Sequence, residues 1–418
     1  MASKVSGTIR ASPSKSATHR AIVLAALSGG PCQIRRALRS EDTDATLGGI
    51  VAFGAEVESH GDDIQVSSSP LHSPGKPIDA RNSGTTLRLL TGVAALLRGT
   101  TTLTGDSSLR KRPMGPLLET LNTLGARCRA LGADGRPPVE IEGTLRGGSA
   151  TIPGDVSSQF LSSLLIVCPL AAKPSEIRVL PPLRSEPYVE MTRAMMDAFG
   201  VDVRAEGDIL RVPGGQTYEP VDVEVPGDFS SAAFPLVAAA ITDGDVTVSG
   251  LELSGPQGDR KVIDLLHAFG ADVESQADRV RVRGGRLVGR TVDVGDTPDL
   301  FPVLAVLGSQ ADGETRFVNG GHLRLKESDR IKTTVSMLRV LGAPVQPTQD
   351  GCVVRGPSRL HGGFVDSQGD HRILMAAAVA GLVTHEAIDI SDPWSFRVSY
   401  PSFLDDFRAL GALHAVVA

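Results

Sequence analysis

Two kinds of residue in this 418-residue chain are placed to do chemistry: cations beside helix starts, and acids beside cations. Lys326 and Glu327 stand together in HLRLKESDR, with Arg330 three positions on. Burial would draw a lysine and a glutamate toward neutrality, where both can move protons. The plainer reading is a charge-paired first turn, since Glu327 and Arg330 would share a helix face. Asp296 and Asp299 lie in VGDTPDLFPVLAVLG, and Asp299 leads directly into an apolar run. Read alone, Asp299 is a first-turn acid favoured by the helix dipole. The cations follow loops rich in Ser, Thr, Gly and Asp: Lys15 and Arg20, Arg88, then His371 and Arg372. Ser, Thr and Asp can cap a helix unaided, and a cation there opposes the dipole. Its repeated use points to an anionic ligand that outweighs the repulsion. Ser157-Ser158-Gln159 offers neutral hydrogen-bonding groups in a row, suited to hydroxyls or a phosphate. Arg110-Lys111-Arg112 reads first as a solvated turn.

Several classes fall away. No HExxH, GxSxG or Walker pattern occurs, no GxGxxG follows a strand, and no cluster has metal-ligand spacing. Cys32, Cys128, Cys168 and Cys352 are far apart, which excludes a zinc ribbon and argues against a disulfide scaffold. The formal charge of −6 gives no basic stripe, so nucleic acid is not expected as a partner. No apolar run reaches the length of a membrane span. The start, MASKVSGTIRASPSK, lacks an apolar signal core, and a cytoplasmic location is expected. With 41% hydrophobic and 22% charged residues, a globular fold is expected rather than disorder. Aromatics are only 4%, so its core must come from Ala, Val, Leu and Ile.

The elements that must position these residues form a sixfold repeat. An apolar helical run ends in Phe-Gly or Leu-Gly at Gly54, Gly125, Gly200, Gly270, Gly342 and Gly411, 69 to 75 residues apart. Glycine is the expected stop because it enters the left-handed region without strain. A second signature is interleaved, a polar loop opening an Ala/Leu-rich helix. Its copies are referenced by Ser16, Ser83, Ser157, Ser230, Thr297 and Asp370, 67 to 74 residues apart. These second helices are apolar nearly all round, which predicts burial. DIQVSSS, VEIEG, EIRVLP, VDVEVP, RVRVRGG and CVVRG alternate as strands do. Periodicity leaves open whether six such units form one ring or two groups of three.

The motifs PSKSATHRA, NSGTTLR, RKRPM, GDVSSQF, SEPYVEMT, PDLFPVLA, LKESDRI and GDHRILMA, in this order, give a resemblance over the whole chain. The chain resembles the 3-phosphoshikimate 1-carboxyvinyltransferases (5-enolpyruvylshikimate-3-phosphate synthases). The resemblance implies an α/β fold of the α+β type. Two similar domains, each of three βαβαββ repeats, would enclose a cleft: residues 14–226, and residues 1–13 with 227–418. Two crossovers would form a hinge that lets ligands close the cleft. The implied reaction moves the enolpyruvyl group of phosphoenolpyruvate to the 5-hydroxyl of shikimate 3-phosphate and releases phosphate. No cofactor or metal is implied, and a monomer is the expected state.

The resemblance also implies roles. Lys15, Ser16, Arg20, Ser157, Ser158, Gln159 and Ser185 would hold shikimate 3-phosphate, together with Asp299, His322 and Lys326. Lys15, Gly84, Arg112, Gln159, Arg330 and Arg372 would hold phosphoenolpyruvate. Asp299, assisted by Lys326, would take the hydroxyl proton, and Lys15 would act at the same centre. Glu327 would protonate the methylene carbon and later remove a proton to expel phosphate.

Two positions depart from the family pattern. Val398 stands where many relatives have a lysine for phosphoenolpyruvate; Arg397 is adjacent and would face away if the segment is extended. His322 stands where relatives often have Asn. Two other readings are distinguishable. A UDP-N-acetylglucosamine enolpyruvyl transferase commonly has a cysteine before the Arg-Pro, whereas this loop is GDSSLRKRP. A non-catalytic anion-binding repeat protein could lack the acids, yet Asp299 and Glu327 are both here.

Overall fold

A computed structural model describes residues 4–67 and 70–412. The chain divides into two compact units. One is Pro13–Val225; the other joins the segment up to Ser12 with the chain from Pro226 onward.

In Pro13–Val225 the same pattern recurs three times. A strand leads to a buried inner helix, a parallel strand, an outer helix and an antiparallel hairpin. Ile78–Asp79, Gly84–Ala94, Thr100–Thr104, Gly115–Thr123, Arg127–Ala130 and Val139–Glu142 form one copy. Gly148–Pro153 to Ile209–Val212 form the next, around the helices Ser158–Val167 and Glu186–Ala198. The copy around Lys15–Leu27 and Glu41–Ala52 borrows its opening strand, Val223–Glu224, from the end of the unit.

The other unit repeats the plan around the inner helices Phe229–Ile241, Phe301–Gln310 and His371–Gly381. Its outer helices are Val262–Phe269, Arg330–Val340 and Phe403–Ala409. Its first sheet opens on Ser6–Arg10, parallel to Asp245–Ser249. Its last copy has only the parallel pair Gly363–Val365 and Ile388–Ile390, with no hairpin among the described residues. Of the alternating stretches, VDVEVP yields only the two-residue strand Val223–Glu224.

Both helix signatures take the expected form. The six stop glycines all have positive φ, from 80° to 106°. The inner helices are buried on every side: Phe229 to Ala240 are all buried. Small residues permit this. A Cβ on Gly49 would collide with Leu90, and one on Gly92 would come within 2.5 Å of the Ser163 hydroxyl. Each unit thus has its own apolar core, in which phenylalanines join the aliphatic residues, and five of the six inner helices start on a polar side-chain cap.

Candidate functional site

In Pro13–Val225 the three inner helices begin on serines. The Ser14 hydroxyl accepts from the Ala17 amide at 3.4 Å, Ser83 from Thr86 at 3.1 Å, and Ser157 from Gln159 at 3.3 Å. None has an acid in its first turn. The caps satisfy amides but leave the positive dipole ends unneutralised.

Cations gather at these ends. Lys15 Nζ donates to Asp42 Oδ2 at 2.8 Å, with both side chains mostly buried. Arg20 is inaccessible and donates to Thr192 Oγ1, the Ser16 carbonyl, Ser162 Oγ and the Tyr188 carbonyl, at 2.7–3.0 Å. Among the described residues no carboxylate pairs with it, and burial pulls its pKa down to about 10. Arg88 donates to Gln159 Oε1 at 2.6 Å, and Gln159 Nε2 donates to Thr85 Oγ1 at 2.7 Å. Arg112 donates to Asn82 Oδ1 at 2.6 Å. A Cβ on Gly84 would lie 2.8 Å from Arg88 Nη1 and 2.9 Å from Arg112 Nη1, so glycine is what admits both guanidiniums. Ser158 is buried in the first turn after Ser157. Ser185 heads the Glu186–Ala198 helix in the left-handed region, at φ 57°. Its buried hydroxyl has no hydrogen-bond partner among the described residues. A strained serine aimed from a helix start, with an unsatisfied hydroxyl, suits a phosphate oxygen.

Behind Lys15 lies a hydroxyl chain. His19 Nδ1 meets Thr46 Oγ1 at 2.7 Å, Thr46 meets Thr86 Oγ1 at 2.7 Å, and Thr86 donates to Ser83 Oγ at 2.7 Å. Burial first, then the charges of Lys15 and Arg20, hold the His19 pKa well below its ordinary value. His19 is therefore neutral and joins the helices Lys15–Leu27, Glu41–Ala52 and Gly84–Ala94 without adding charge.

The second unit uses acids instead. Asp228 caps Phe229–Ile241, accepting from the Ser231 amide at 3.0 Å and from the Ser230 hydroxyl at 2.7 Å. Asp370 caps His371–Gly381, accepting from the Arg372 amide at 3.0 Å. Asp299 precedes the third start, where Leu300 makes no side-chain cap. Arg330, only 1% exposed, donates to Asp299 at 2.6 Å, Glu327 at 2.7 Å and Asp370 at 2.9 Å. Burial alone would lower its pKa, but the fields of Asp370, Glu327 and Asp299 outweigh it and push it well up. Arg372 donates from Nη2 to Ser230 Oγ at 2.7 Å and to Asp299 Oδ2 at 3.2 Å. Its Nε and Nη1 are buried with no hydrogen-bond partner among the described residues. Burial opposes its charge, yet Asp299 and Asp228 raise its pKa. Desolvated guanidinium N–H groups without acceptors are costly, and an anionic oxygen would satisfy them.

The structure thus joins Asp299, Glu327, Arg330 and Arg372 in one network. Lys326 follows the short helix Gly321–Leu325, which also carries the buried His322. Asp296 has no hydrogen bond or ion pair with the network. Arg330, expected to hold phosphoenolpyruvate, already bonds the carboxylates of Asp299, Glu327 and Asp370 in this structure. Sequence reading missed Asp42, Asn82, Ser230 and Asp370 as partners of the site cations; Asp370, directly before His371-Arg372, had a signal in its capping position. Arg397 also differs from expectation. Ser395–Val398 is a 3₁₀ turn, not an extended segment, so alternation of faces does not apply. Arg397 lies 4.2 Å from the Trp394 ring centroid, and Val398 is buried.

The family model for EPSP synthase (3-phosphoshikimate 1-carboxyvinyltransferase) matches residues 1–407. A 3-phosphoshikimate 1-carboxyvinyltransferase of Methanocorpusculum labreanum is 46% identical over 413 residues, covering 98% of this chain and 97% of that one. One from Halobacterium salinarum is 43% identical over 420 residues, with 98% and 97% covered. The structure of EPSP synthase from Acinetobacter baumannii superposes with a TM-score of 0.82 at 30% identity, covering 98% of this chain and 96% of that one. The enolpyruvyl transferase NikO from Streptomyces tendae, at 20% identity and TM-score 0.75, covers 98% and 95% and shares the fold.

Proposed function

The chain belongs to the EPSP synthase family, and we propose how its residues divide the work of that enzyme. As a member it transfers the enolpyruvyl group of phosphoenolpyruvate to shikimate 3-phosphate, in the shikimate pathway to aromatic amino acids. The full-length match to these relatives leaves no support for the nucleotide-sugar or non-catalytic readings.

In the proposed division, Pro13–Val225 is the anion-holding domain. Ser157, Ser158, Gln159 and Ser185 hold the phosphate of shikimate 3-phosphate, and Ser16 and Arg20 hold the rest of it. Lys15 reaches both substrates, while Gly84 and Arg112 serve phosphoenolpyruvate. The other domain supplies Arg330 and Arg372 for phosphoenolpyruvate, and His322 and Lys326 for the shikimate ring. The observation that carries this reading is Arg372. It is a buried cation whose Nε and Nη1 have no hydrogen-bond partner among the described residues, linked through Asp299 to Arg330 and Glu327.

The chemistry is addition followed by elimination. Asp299, assisted by Lys326, accepts the proton of the attacking hydroxyl as its oxygen bonds to C2 of phosphoenolpyruvate. Glu327 gives a proton to C3, making a methyl group. Glu327 then takes back one methyl proton as the C–O bond to phosphate breaks. The guanidiniums offset repulsion between two anionic substrates and place them for attack.

The reading extends to a monomer acting in the cytoplasm, without nucleic-acid or membrane partners. Its acidic net charge supports the first exclusion. No helix among the described residues is long and apolar enough to cross a membrane.

The test is phosphate release with each substrate omitted in turn. Release must need both. Glu327→Gln is expected to lower kcat about 10³-fold, within the range of a lost acid–base group, and to abolish exchange of solvent protons into the methylene group. Exchange that persists at the wild-type rate would remove Glu327 from this role.

A further inference from the structure

The helices Lys15–Leu27 and Glu41–Ala52 are joined by two rungs. Lys15 Nζ donates to Asp42 Oδ2 at 2.8 Å, and one turn further along both helices His19 Nδ1 meets Thr46 Oγ1 at 2.7 Å. Each rung spans 27 residues of chain, and on each helix the two positions are four apart. Residues so spaced share a helix face. The register that seats His19 on Thr46 is therefore the one that brings Lys15 to Asp42.

Thr46 carries the connection to a third helix. Its hydroxyl meets Thr86 Oγ1 at 2.7 Å, and Thr86 donates through both amide and hydroxyl to Ser83 Oγ, the cap in front of Gly84. Thr86 Oγ1 also lies 3.2 Å from the Asp42 carbonyl. His19, Thr46, Ser83 and Thr86 are all inaccessible to solvent. A hydroxyl has one proton to give. Thr86 gives its own to Ser83 or to the Asp42 carbonyl, so Thr46 donates to Thr86, and His19 Nδ1 donates to Thr46. The other ring nitrogen, Nε2, is buried with no hydrogen-bond partner among the described residues.

We propose that His19 and Thr46 are positioning residues for phosphoenolpyruvate. Being fully buried, they act through other groups: the node they form sets the Lys15 ammonium against the Gly84 end of its helix. Those are the groups on these helices to which phosphoenolpyruvate is assigned, and the proposal rests on that assignment. Lys15 is a flexible four-carbon chain carrying a point charge, and Gly84 has no side chain with which to adjust. Both depend on where their helices start. Among the described residues no bond of the node goes to Ser158–Val167, whose start is assigned to the shikimate phosphate. Loss of the node therefore falls on one substrate more than on the other.

Steady-state kinetics test this. Thr46→Val keeps the branched shape and removes the hydroxyl; His19→Leu removes the same rung from the other side, should the first variant fail to fold. Either should raise KM for phosphoenolpyruvate about tenfold and leave KM for shikimate 3-phosphate within about twofold, an effect between one lost hydrogen bond and a misplacement of about 1 Å. Thr46→Ser and His19→Asn should keep the wild-type value, the second because its amide lies where Nδ1 does. A rise in both constants alike, or lower stability to urea with both constants unchanged, would make the rung a packing contact and overturn the proposal. Lys15→Met separates the underlying assignment. If it leaves KM for phosphoenolpyruvate unchanged, Lys15 does not serve that substrate and the proposal falls with it. If it raises that KM while Thr46→Val and His19→Leu do not, the positioning role alone falls.

Discussion

Pro13–Val225 opens its three inner helices on Ser14, Ser83 and Ser157, whereas the other unit opens two of its three on Asp228 and Asp370. The inner helices otherwise occupy matching places in the repeat, so the contrast bears on what a cap does for function. A serine satisfies an amide and leaves the positive helix end available to an outside anion. An aspartate satisfies the same amide but fills that end with the protein's own charge. Buried, it then needs a cation: Arg330 pairs with Asp370, and the charge of Arg372 interacts with that of Asp228. The first recipe leaves a positive helix end open to an anion, which is the role proposed for it above. The second makes a rigid set of guanidiniums on which Asp299 and Glu327 can be held close together without repelling each other apart.

The comparison can be broken at the aspartates first. Asp370→Asn keeps a capping side chain but removes the charge that faces Arg330. Losing one partner of a buried ion pair costs about 3–5 kcal/mol, so urea unfolding should show that loss. A cost below about 1 kcal/mol, as for exposed pairs, would mean that Asp370 is only a cap. The reciprocal exchange is Ser157→Asp, which gives the phosphate-holding unit a cap of the other kind. Stability should change little, because the two residues cap equally well. Affinity for shikimate 3-phosphate should fall about a thousandfold, as expected of the ~4 kcal/mol between two like charges about 4 Å apart near a protein surface. Unchanged affinity by titration would show that the Ser157 end does not receive the phosphate.

The smallest effect sharpens the contrast through pH. His19 titrates in the unfolded chain near its ordinary value of 6.5 and well below it when folded. Below about pH 6.5 the unfolded state binds the extra proton, so stability falls with pH, by up to about 1.4 kcal/mol per unit, until the folded pKa is reached. Amide exchange should register this loss in Pro13–Val225, and His19→Gln should flatten it there. A profile that His19→Gln leaves unaltered would assign the acid sensitivity to other groups.

These differences show which parts of the molecule the sequence discloses. The repeat was legible because its signals are local: a glycine that ends a helix, a polar loop that starts one, a strand that alternates. The charged candidates were legible for the same reason, since a cation at a helix start is unusual in itself. Apart from Glu327, three positions before Arg330, their partners were not. Asp42 reaches Lys15, Ser162 reaches Arg20 and Asp299 reaches Arg330 across 27, 142 and 31 residues of chain. Only packing brings such pairs together, and no spacing rule finds them. Arg397 shows the opposite limit: a local rule of alternation was applied to a stretch that turns after Pro393.

The borrowed opening strands bear on how the chain is made. Ser6–Arg10 leaves the ribosome early, yet its neighbour Asp245–Ser249 is about 235 residues further on. At about 5–20 residues per second, roughly 10–50 s of synthesis separate them. Pro13–Val225 is contiguous and can complete its three sheets within that interval. The waiting strand, SGTIR, has one large apolar residue, Ile9. An unpaired edge of that composition offers little to an aggregating neighbour, so the segment that must stay single longest during translation is also one of the least adhesive strands in the fold.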